Sequence, residues 1–136
     1  MTLVSINAHA LTCPHEDWAL ERAEIIISLI PMSGEILIKK APDAVSEPRS
    51  NRSSVFEVEV YKVWRGEVNF RESLVFYGPR IFSLGNEYIV ATNKNKHGEL
   101  VVGACTLTKD VFREKEWAIE KLGEPIYEFE PTIFSP

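Results

Sequence analysis

The chain has 136 residues, a length that suits one domain with a single hydrophobic core. Apolar residues make up 45% of the sequence and charged residues 26%, which is ordinary for a soluble globular protein. The net charge of −5 argues against nucleic acid as the main partner, because phosphate binding needs a basic face. No apolar run reaches the length of roughly 18 residues that a transmembrane helix needs, so no membrane span is expected.

Residues 1–10 end in a small-x-small pattern, Ala8-His9-Ala10, of the kind that signal peptidase recognises. The preceding MTLVSIN has no basic region and only a short apolar stretch. Two interpretations stay open on these residues. They are the remnant of a signal peptide, or they form an ordinary N-terminal arm.

A short helix is predicted over residues 13–23, CPHEDWALERA. Pro14 suits a first helical turn, where its missing N–H costs nothing. The acidic pair that follows the histidine favours the positive end of the helix dipole. Trp18 and Ala19 are expected on the buried side of this helix.

Five segments are typical of β-strands, because they are rich in β-branched residues or alternate between apolar and polar ones. They are EIIISLI with its continuation EILIKKA, then SVFEVEVYKVWRG, ESLVFYG, EYIVAT and LVVGACTL. In the second strand the alternation slips at Tyr61–Lys62, which predicts a β-bulge there. The residues expected in or near the core are Phe56, Val58, Val60, Ile89 and Val102.

Three polar or proline-rich stretches lie between or after the strands. The loop from Pro42 to Ser54 lacks apolar anchors, so we expect it to be the most mobile internal segment. NKNKHGE is typical of a hairpin loop, in which Gly98 can take a positive φ. The tail, residues 124–136, contains large apolar residues and is expected to lie along the body as an extended arm.

A second helix is predicted over residues 109–123, KDVFREKEWAIEKLG, with Asp110 as a suitable N-cap and Gly123 as its end. The apolar residues that share one face of it are Val111, Ala118, Ile119 and Leu122. The order of helix, five strands and helix favours a mainly β fold. Specifically, it favours a five-stranded Greek-key barrel of the OB-fold type, flanked by an N-terminal and a C-terminal helix.

Motifs for catalysis are missing from the sequence, which has no G-x-S-x-G, P-loop, H-E-x-x-H or paired C-x-x-C. We therefore expect neither an enzyme nor a cofactor. The HED run at residues 15–17 would need ligands from elsewhere to hold a metal, because adjacent helical side chains diverge. No intrinsic metal site is expected. Arg65, Arg71, Arg80 and Tyr77 are candidates for a small patch that binds an oligonucleotide or a sugar, with solvated strand ends as the alternative.

Cys13 and Cys105 are the only two cysteines. As buried free thiols they would behave as small hydrophobic residues. In an exported protein, an even count of two favours one disulfide. The residues alone leave both interpretations open.

From LTCP to EKLG, residues 11–123, the chain resembles the netrin-like (NTR) fold and, within it, the N-terminal inhibitory domain of the tissue inhibitors of metalloproteinases. The residues that carry the resemblance are the cysteine–proline start, KVWRG, G-x-x-Y-I-V, G-x-L-x-x-x-x-C and the final helix. The resemblance implies one netrin-like domain over residues 11–123, with residues 124–136 as a tail.

The resemblance also implies a disulfide between Cys13 and Cys105. In the family, the α-amine and carbonyl of a first cysteine chelate the zinc of the target enzyme, and here Leu11 stands at that position. Cleavage after Ala10 would make Leu11 the first residue of the mature chain. The usual partner of that first cysteine is missing as well. The implied inhibitory segment, Leu11, Thr12, Cys13 and Pro14, therefore lacks one of the bridges that position it.

Two hypotheses follow. The first is a secreted or periplasmic, non-enzymatic module whose partner is a protein, with a zinc metalloprotease as the candidate and weak or relic inhibition as the activity. The second is an OB-type module that binds an oligosaccharide or a single-stranded nucleic acid across its barrel face.

Overall fold

A computed structural model of the chain describes residues 13–38, 52–77 and 82–130. This part of the chain forms two helices and seven strands. In chain order they are α1 (Glu16–Arg22), β1 (Ile25–Ile38), β2 (Arg52–Arg65), β3 (Arg71–Tyr77), β4 (Tyr88–Thr92), β5 (Leu100–Val102), β6 (Leu107–Asp110), α2 (Lys115–Leu122) and β7 (Tyr127–Glu128).

The strands form one curled sheet, a half-barrel, in the order β5-β3-β2-β1-β4-β6, and β7 pairs with β2. The pairing of β3 with β5 is parallel, with Leu74 beside Leu100 and Phe76 beside Val102. A single bridge between Lys94 and Leu100 joins the segment after β4 to β5. The predicted mainly β fold with two helices is confirmed. The sheet of the described residues has seven strands, however, where five are predicted.

The first reason for the larger number is that the predicted strand LVVGACTL is divided in two. The Gly103 N–H donates to the Thr106 hydroxyl at 2.9 Å, and the Thr106 N–H donates to the Gly103 carbonyl at 3.2 Å. This turn ends β5 at Val102 and starts β6 at Leu107. The second reason is that part of the tail joins the sheet as β7.

The second helix begins later than predicted. Lys109 and Asp110 belong to β6, where they pair with β4. Instead of capping a helix, Asp110 holds a turn: its carboxylate accepts the Phe112 N–H at 2.9 Å and its carbonyl accepts the Glu114 N–H at 2.9 Å. Only after this turn does α2 begin, at Lys115.

The first helix is shorter than predicted, because His15 is its N-cap and accepts the Asp17 N–H on Nδ1 at 3.1 Å. The expectation of a buried Trp18 is wrong. Its side chain is 46% exposed, and the Arg22 guanidinium lies 4.5 Å from the centre of its ring. A helix of seven residues has only a narrow face to bury, and Leu20 occupies it by packing against the sheet.

All five residues predicted for the core are buried, with 3% exposure or less. They are Phe56, Val58, Val60, Ile89 and Val102. Ile89 differs from the other four, because it belongs to a second cluster with Ile26 and Ala91. Trp117, Ala118 and Leu122 of α2 cover this second cluster. Ile119, which is expected on the same helical face, is 73% exposed instead.

The β-bulge predicted at Tyr61–Lys62 is confirmed, because both residues lie opposite Ser28 in the register of β1 and β2. The Lys62 N–H donates to the Ser28 hydroxyl at 3.1 Å. Val60 and Val63 are three positions apart and would lie on opposite faces of a regular strand. The extra residue of the bulge brings both to the buried face, where both are fully buried.

Of the predicted loop over 42–54, residues 42–51 lie outside the described part, and residues 52–54 begin β2 instead. The expected mobility of residues 42–51 therefore stays a prediction. The hairpin loop NKNKHGE is confirmed. Gly98 has a φ of 81°, and the Asn95 side chain accepts two backbone N–H groups within the loop.

The tail is extended, as expected, over the residues that the structure describes. The Ile126 N–H donates to the Val63 carbonyl and the Phe129 N–H donates to the Tyr61 carbonyl, each at 2.7 Å. These bonds lay the tail against the edge of β2 on both sides of β7. Residues 131–136 lie outside the described part.

Candidate functional site

A disulfide joins Cys13 to Cys105, with the two Cα atoms 5.2 Å apart. The predicted pairing is confirmed. The bridge links the residue two positions before the N-cap of α1 to the turn between β5 and β6, 92 positions along the chain. Both cysteines are exposed, so the bridge fixes the start of the described chain at the protein surface.

The four residues of the implied inhibitory segment divide into two pairs. Leu11 and Thr12 lie outside the described residues. Cys13 and Pro14 are exposed and line a cleft that opens beside the disulfide.

This cleft has a volume of about 810 Å³, and we call it the aromatic cleft. Cys13 and Pro14, which precede α1, and Glu16 and Ala19 of α1 line one side of it. The aromatic side chains that line it are Phe76, Tyr77, Phe82 and Tyr88. The other described residues of the lining form a continuous run of the chain, residues 102–110, which includes all of β6.

The aromatic residues of the cleft are packed against one another. The Phe82 ring stacks on Tyr88 with centroids 4.5 Å apart and meets Phe76 edge-on at 5.1 Å. The Tyr88 hydroxyl accepts the Ser83 N–H at 3.0 Å, which fixes that ring further. Tyr77, by contrast, is 49% exposed. The cleft therefore combines a fixed aromatic surface with one accessible phenol.

Glu16 connects three elements at one end of the cleft. One carboxylate oxygen lies 2.6 Å from the Lys109 ammonium group, and the other accepts the Trp117 indole N–H at 3.0 Å. The hydrogen bond from Lys109, and then the one from Trp117, lower the pKa of Glu16 below its ordinary value. A second ion pair, Asp17 with Lys121 at 3.4 Å, adds to the attachment of α1.

The candidate basic and aromatic patch is not brought together by the fold. The Arg65 guanidinium donates to the Leu20 and Ala23 carbonyls at 2.6 and 2.7 Å, so it holds α1. Arg71 and Tyr77 stand at opposite ends of β3, which places their Cα atoms about 20 Å apart. Arg80 lies outside the described residues.

Two buried carboxylates lie away from the aromatic cleft. Glu59 is 2% exposed and pairs with Arg71 at 3.3 Å. Glu72 is 7% exposed, pairs with Lys94 at 3.2 Å and accepts the Asn69 N–H at 2.6 Å. Each carboxylate has a cationic partner, which is the arrangement that buried charges need for structural reasons.

Among residues 13–38, 52–77 and 82–130, no three histidine, cysteine or acidic side chains are grouped closely enough to hold a metal ion. Within the same ranges no helix is long and apolar enough to cross a membrane. No protein-family model matches the sequence, and no curated protein is significantly similar to it.

Sequence reasoning missed most of the cleft. The partners of Glu16 lie 93 and 101 positions away, at Lys109 and Trp117, and no local pattern relates residues so far apart. Phe82 gave no strand or helix signal, although three other aromatic side chains, Phe56, Phe76 and Tyr88, pack against its ring. The cysteine pair alone pointed to this end of the molecule.

Proposed function

We propose that the chain is a secreted or periplasmic, non-enzymatic binding module that engages a protein partner, with a zinc metalloprotease as the candidate. The single observation that supports it is the disulfide between Cys13 and Cys105, which holds the position next to Leu11 and Thr12 at the surface. Disulfides persist in oxidising compartments, so the same bridge supports export.

A netrin-like domain with an OB-type barrel is part of this proposal. Its support is the sheet order β5-β3-β2-β1-β4, the parallel pairing of β3 with β5, and the bridge from Lys94 to Leu100. A helix before the first strand, a second helix after β6 and a cysteine just beyond β5 add to that support.

The inhibition we propose is weak. A chain that starts at Leu11 presents its α-amine two residues before the fixed Cys13. Ordering these two residues on a protease would cost about 1–2 kcal/mol each, a loss of roughly 30- to 1000-fold in affinity relative to a tethered start. Chelation by the amine and carbonyl of Leu11 is then possible but poorly pre-organised.

The test is a titration of the oxidised chain, produced with Leu11 as its first residue, against a panel of zinc endopeptidases. The matched control is the same chain with an acetylated α-amine. We expect weak inhibition of at least one enzyme, and we expect acetylation to abolish it. Inhibition that survives acetylation would exclude the zinc-chelating mode.

A panel with no inhibition would overturn the protease as partner. The same preparation is then offered single-stranded oligonucleotides and oligosaccharides. Binding that weakens steeply with salt, or binding of a sugar, would favour the alternative function of an OB-type barrel.

A further inference from the structure

We propose that the aromatic cleft is a peptide-binding site, in which an extended segment of a partner protein, basic and apolar in composition, pairs with the outer edge of β6. This site shares Cys13 and Pro14 with the inhibitory segment proposed above, but it does not use the α-amine of Leu11. It does not require the partner to be a protease.

The edge of β6 is the first element of the site, because β6 ends the strand order of the described sheet. The Val111 N–H donates to the Glu87 carbonyl at 3.0 Å, which sets the alternation of the antiparallel ladder with β4. Every second residue of β6 bonds to β4, so Lys109 does so as Val111 does. The backbone groups of the alternate residues point away from β4. They include the N–H groups of Thr108 and Asp110 and the Thr108 carbonyl. Within the described ranges no backbone hydrogen bond engages these three groups, so they are available to an added strand.

The outer edge faces the aromatic cleft. All residues of 106–110 line the cleft in succession. Side chains alternate between the two faces of a strand, so a cleft over one face would be lined by every second residue. Consecutive residues line a cleft when the backbone edge of the strand faces it. A segment laid along this edge would run beside the aromatic side chains of the cleft, as in other cases of strand addition.

Space for a side chain exists where β5 leaves β3. The parallel pairing ends at Phe76 and Val102, and the chain turns away at Gly103. A Cβ atom placed on Gly103 would meet nothing within 4 Å. The neighbouring Tyr77 is half exposed. This part of the cleft therefore suits an aromatic or large aliphatic side chain of the incoming segment.

Charge selects a basic segment over an acidic one. Among the described residues, the charged groups that line the cleft are Glu16, Lys109 and Asp110. Glu16 and Lys109 form an ion pair, so Asp110 gives the described part of the lining a net negative charge. The whole chain also carries a net charge of −5. Lysine or arginine in the partner segment complements this field, and acidic residues would be repelled.

The probe is the hexapeptide acetyl-Lys-Phe-Lys-Val-Lys-Phe-amide, added to the oxidised full chain. Calorimetry measures its affinity, and NMR follows the amide resonances of the protein. We expect saturable binding with shifts and slowed hydrogen exchange at Thr108 and Asp110. Methylation of alternate peptide nitrogens removes the strand hydrogen bonds and should weaken binding about tenfold or more. Replacement of the lysines by glutamates should weaken it as well.

Two variants at one position test the place of binding. Gly103→Phe adds a large aromatic side chain to the lining of the cleft, whereas Gly103→Ala adds only a methyl group. Both are expected to fold, because a Cβ atom on Gly103 meets nothing within 4 Å and its φ is not in the left-handed region. We expect the Phe variant to lose peptide binding and the Ala variant to retain it. No saturable binding, equal affinity of the methylated peptide, or full affinity of Gly103→Phe would each overturn the proposal.

Acetylation of the α-amine separates this proposal from the previous one. It should abolish protease inhibition and leave the affinity for the hexapeptide unchanged. Loss of hexapeptide binding on acetylation would place the peptide at the N-terminus and overturn the assignment to β6.

Discussion

The carboxylate of Glu16 lies 2.6 Å from the ammonium group of Lys109, and this ion pair joins α1 to β6. The first helix contains no buried residue. Its position therefore depends on polar contacts and on the disulfide that begins just before it, more than on apolar burial. The contacts that hold α1 also shape the aromatic cleft, since Glu16, Lys109 and Cys13 all line it.

Glu16→Gln is expected to reduce the free energy of unfolding by less than about 1 kcal/mol at neutral pH, because both partners of the ion pair are partly exposed. The loss should depend on pH. The hydrogen bond from Lys109 lowers the pKa of Glu16 in the folded state. The stabilisation by the Glu16 carboxylate is therefore complete at a pH above 4.5, the ordinary pKa of the group. It disappears as the pH falls through the lower pKa of the folded protein.

Urea unfolding between pH 7 and pH 3 measures this effect. Wild type and Glu16→Gln should converge in stability at the acidic end. The control is Glu21→Gln, an exposed carboxylate of the same helix. A difference between wild type and Glu16→Gln that stays constant over the whole range would contradict the prediction.

Removal of the disulfide should have a larger effect. The double variant Cys13→Ser, Cys105→Ser frees a loop that spans 92 positions, for which chain entropy predicts a loss of roughly 4.5 kcal/mol. The measurement is denaturant unfolding of the oxidised wild type and of the double variant, with reduced wild type as the matched control. Reduced wild type and the double variant should agree. If the double variant were as stable as oxidised wild type, the bridge would contribute little to the free energy of unfolding.

The sheet could be predicted in large part because its pattern is local. In β2 the alternation of apolar residues, and its slip at Tyr61–Lys62, can be read directly from the sequence and correspond to the buried face and the bulge. By contrast, β6 has only four residues, and Lys109 and Asp110 at its end look like the start of the following helix. Pairing with β4 decides their structure, and no local signal reports it.

The candidate site was less predictable for the same physical reason. A resemblance supplied the cysteine pair, and nothing in the sequence linked Glu16 to Lys109 or Trp117. Helix periodicity also placed Ile119 on the packed face, whereas Trp117 takes that place. A helix of eight residues contacts the sheet through few side chains, so its rotation depends on the shape of the surface beneath it.

Ser28→Ala is expected to destabilise the fold by about 1–2 kcal/mol, because the buried hydroxyl of Ser28 accepts the Lys62 N–H at the bulge. Without it, that backbone N–H loses its partner inside the sheet. Ser73→Ala is the control, since the Ser73 hydroxyl makes a longer, exposed contact with Glu57. Chemical denaturation compares the two variants. Equal losses would show that the bulge does not depend on Ser28.

Gly66→Ala should destabilise the protein more than Gly98→Ala, although both glycines have a positive φ, 95° and 81°. Both variants incur the strain of a left-handed conformation, about 1–2 kcal/mol. At Gly98 the new methyl group meets open space. At Gly66 it would lie 2.7 Å from the Glu24 carbonyl oxygen and 2.9 Å from a side-chain carbon of Ile25.

The Glu24 carbonyl cannot move without displacing the start of β1, whose first residues are buried between β2 and β4. We therefore expect Gly66→Ala to lose at least about 1 kcal/mol more than Gly98→Ala. Urea midpoints at an unchanged slope measure the difference. Equal midpoints for the two variants would mean that the junction between α1 and β1 shifts to accommodate the methyl group, and would contradict the prediction.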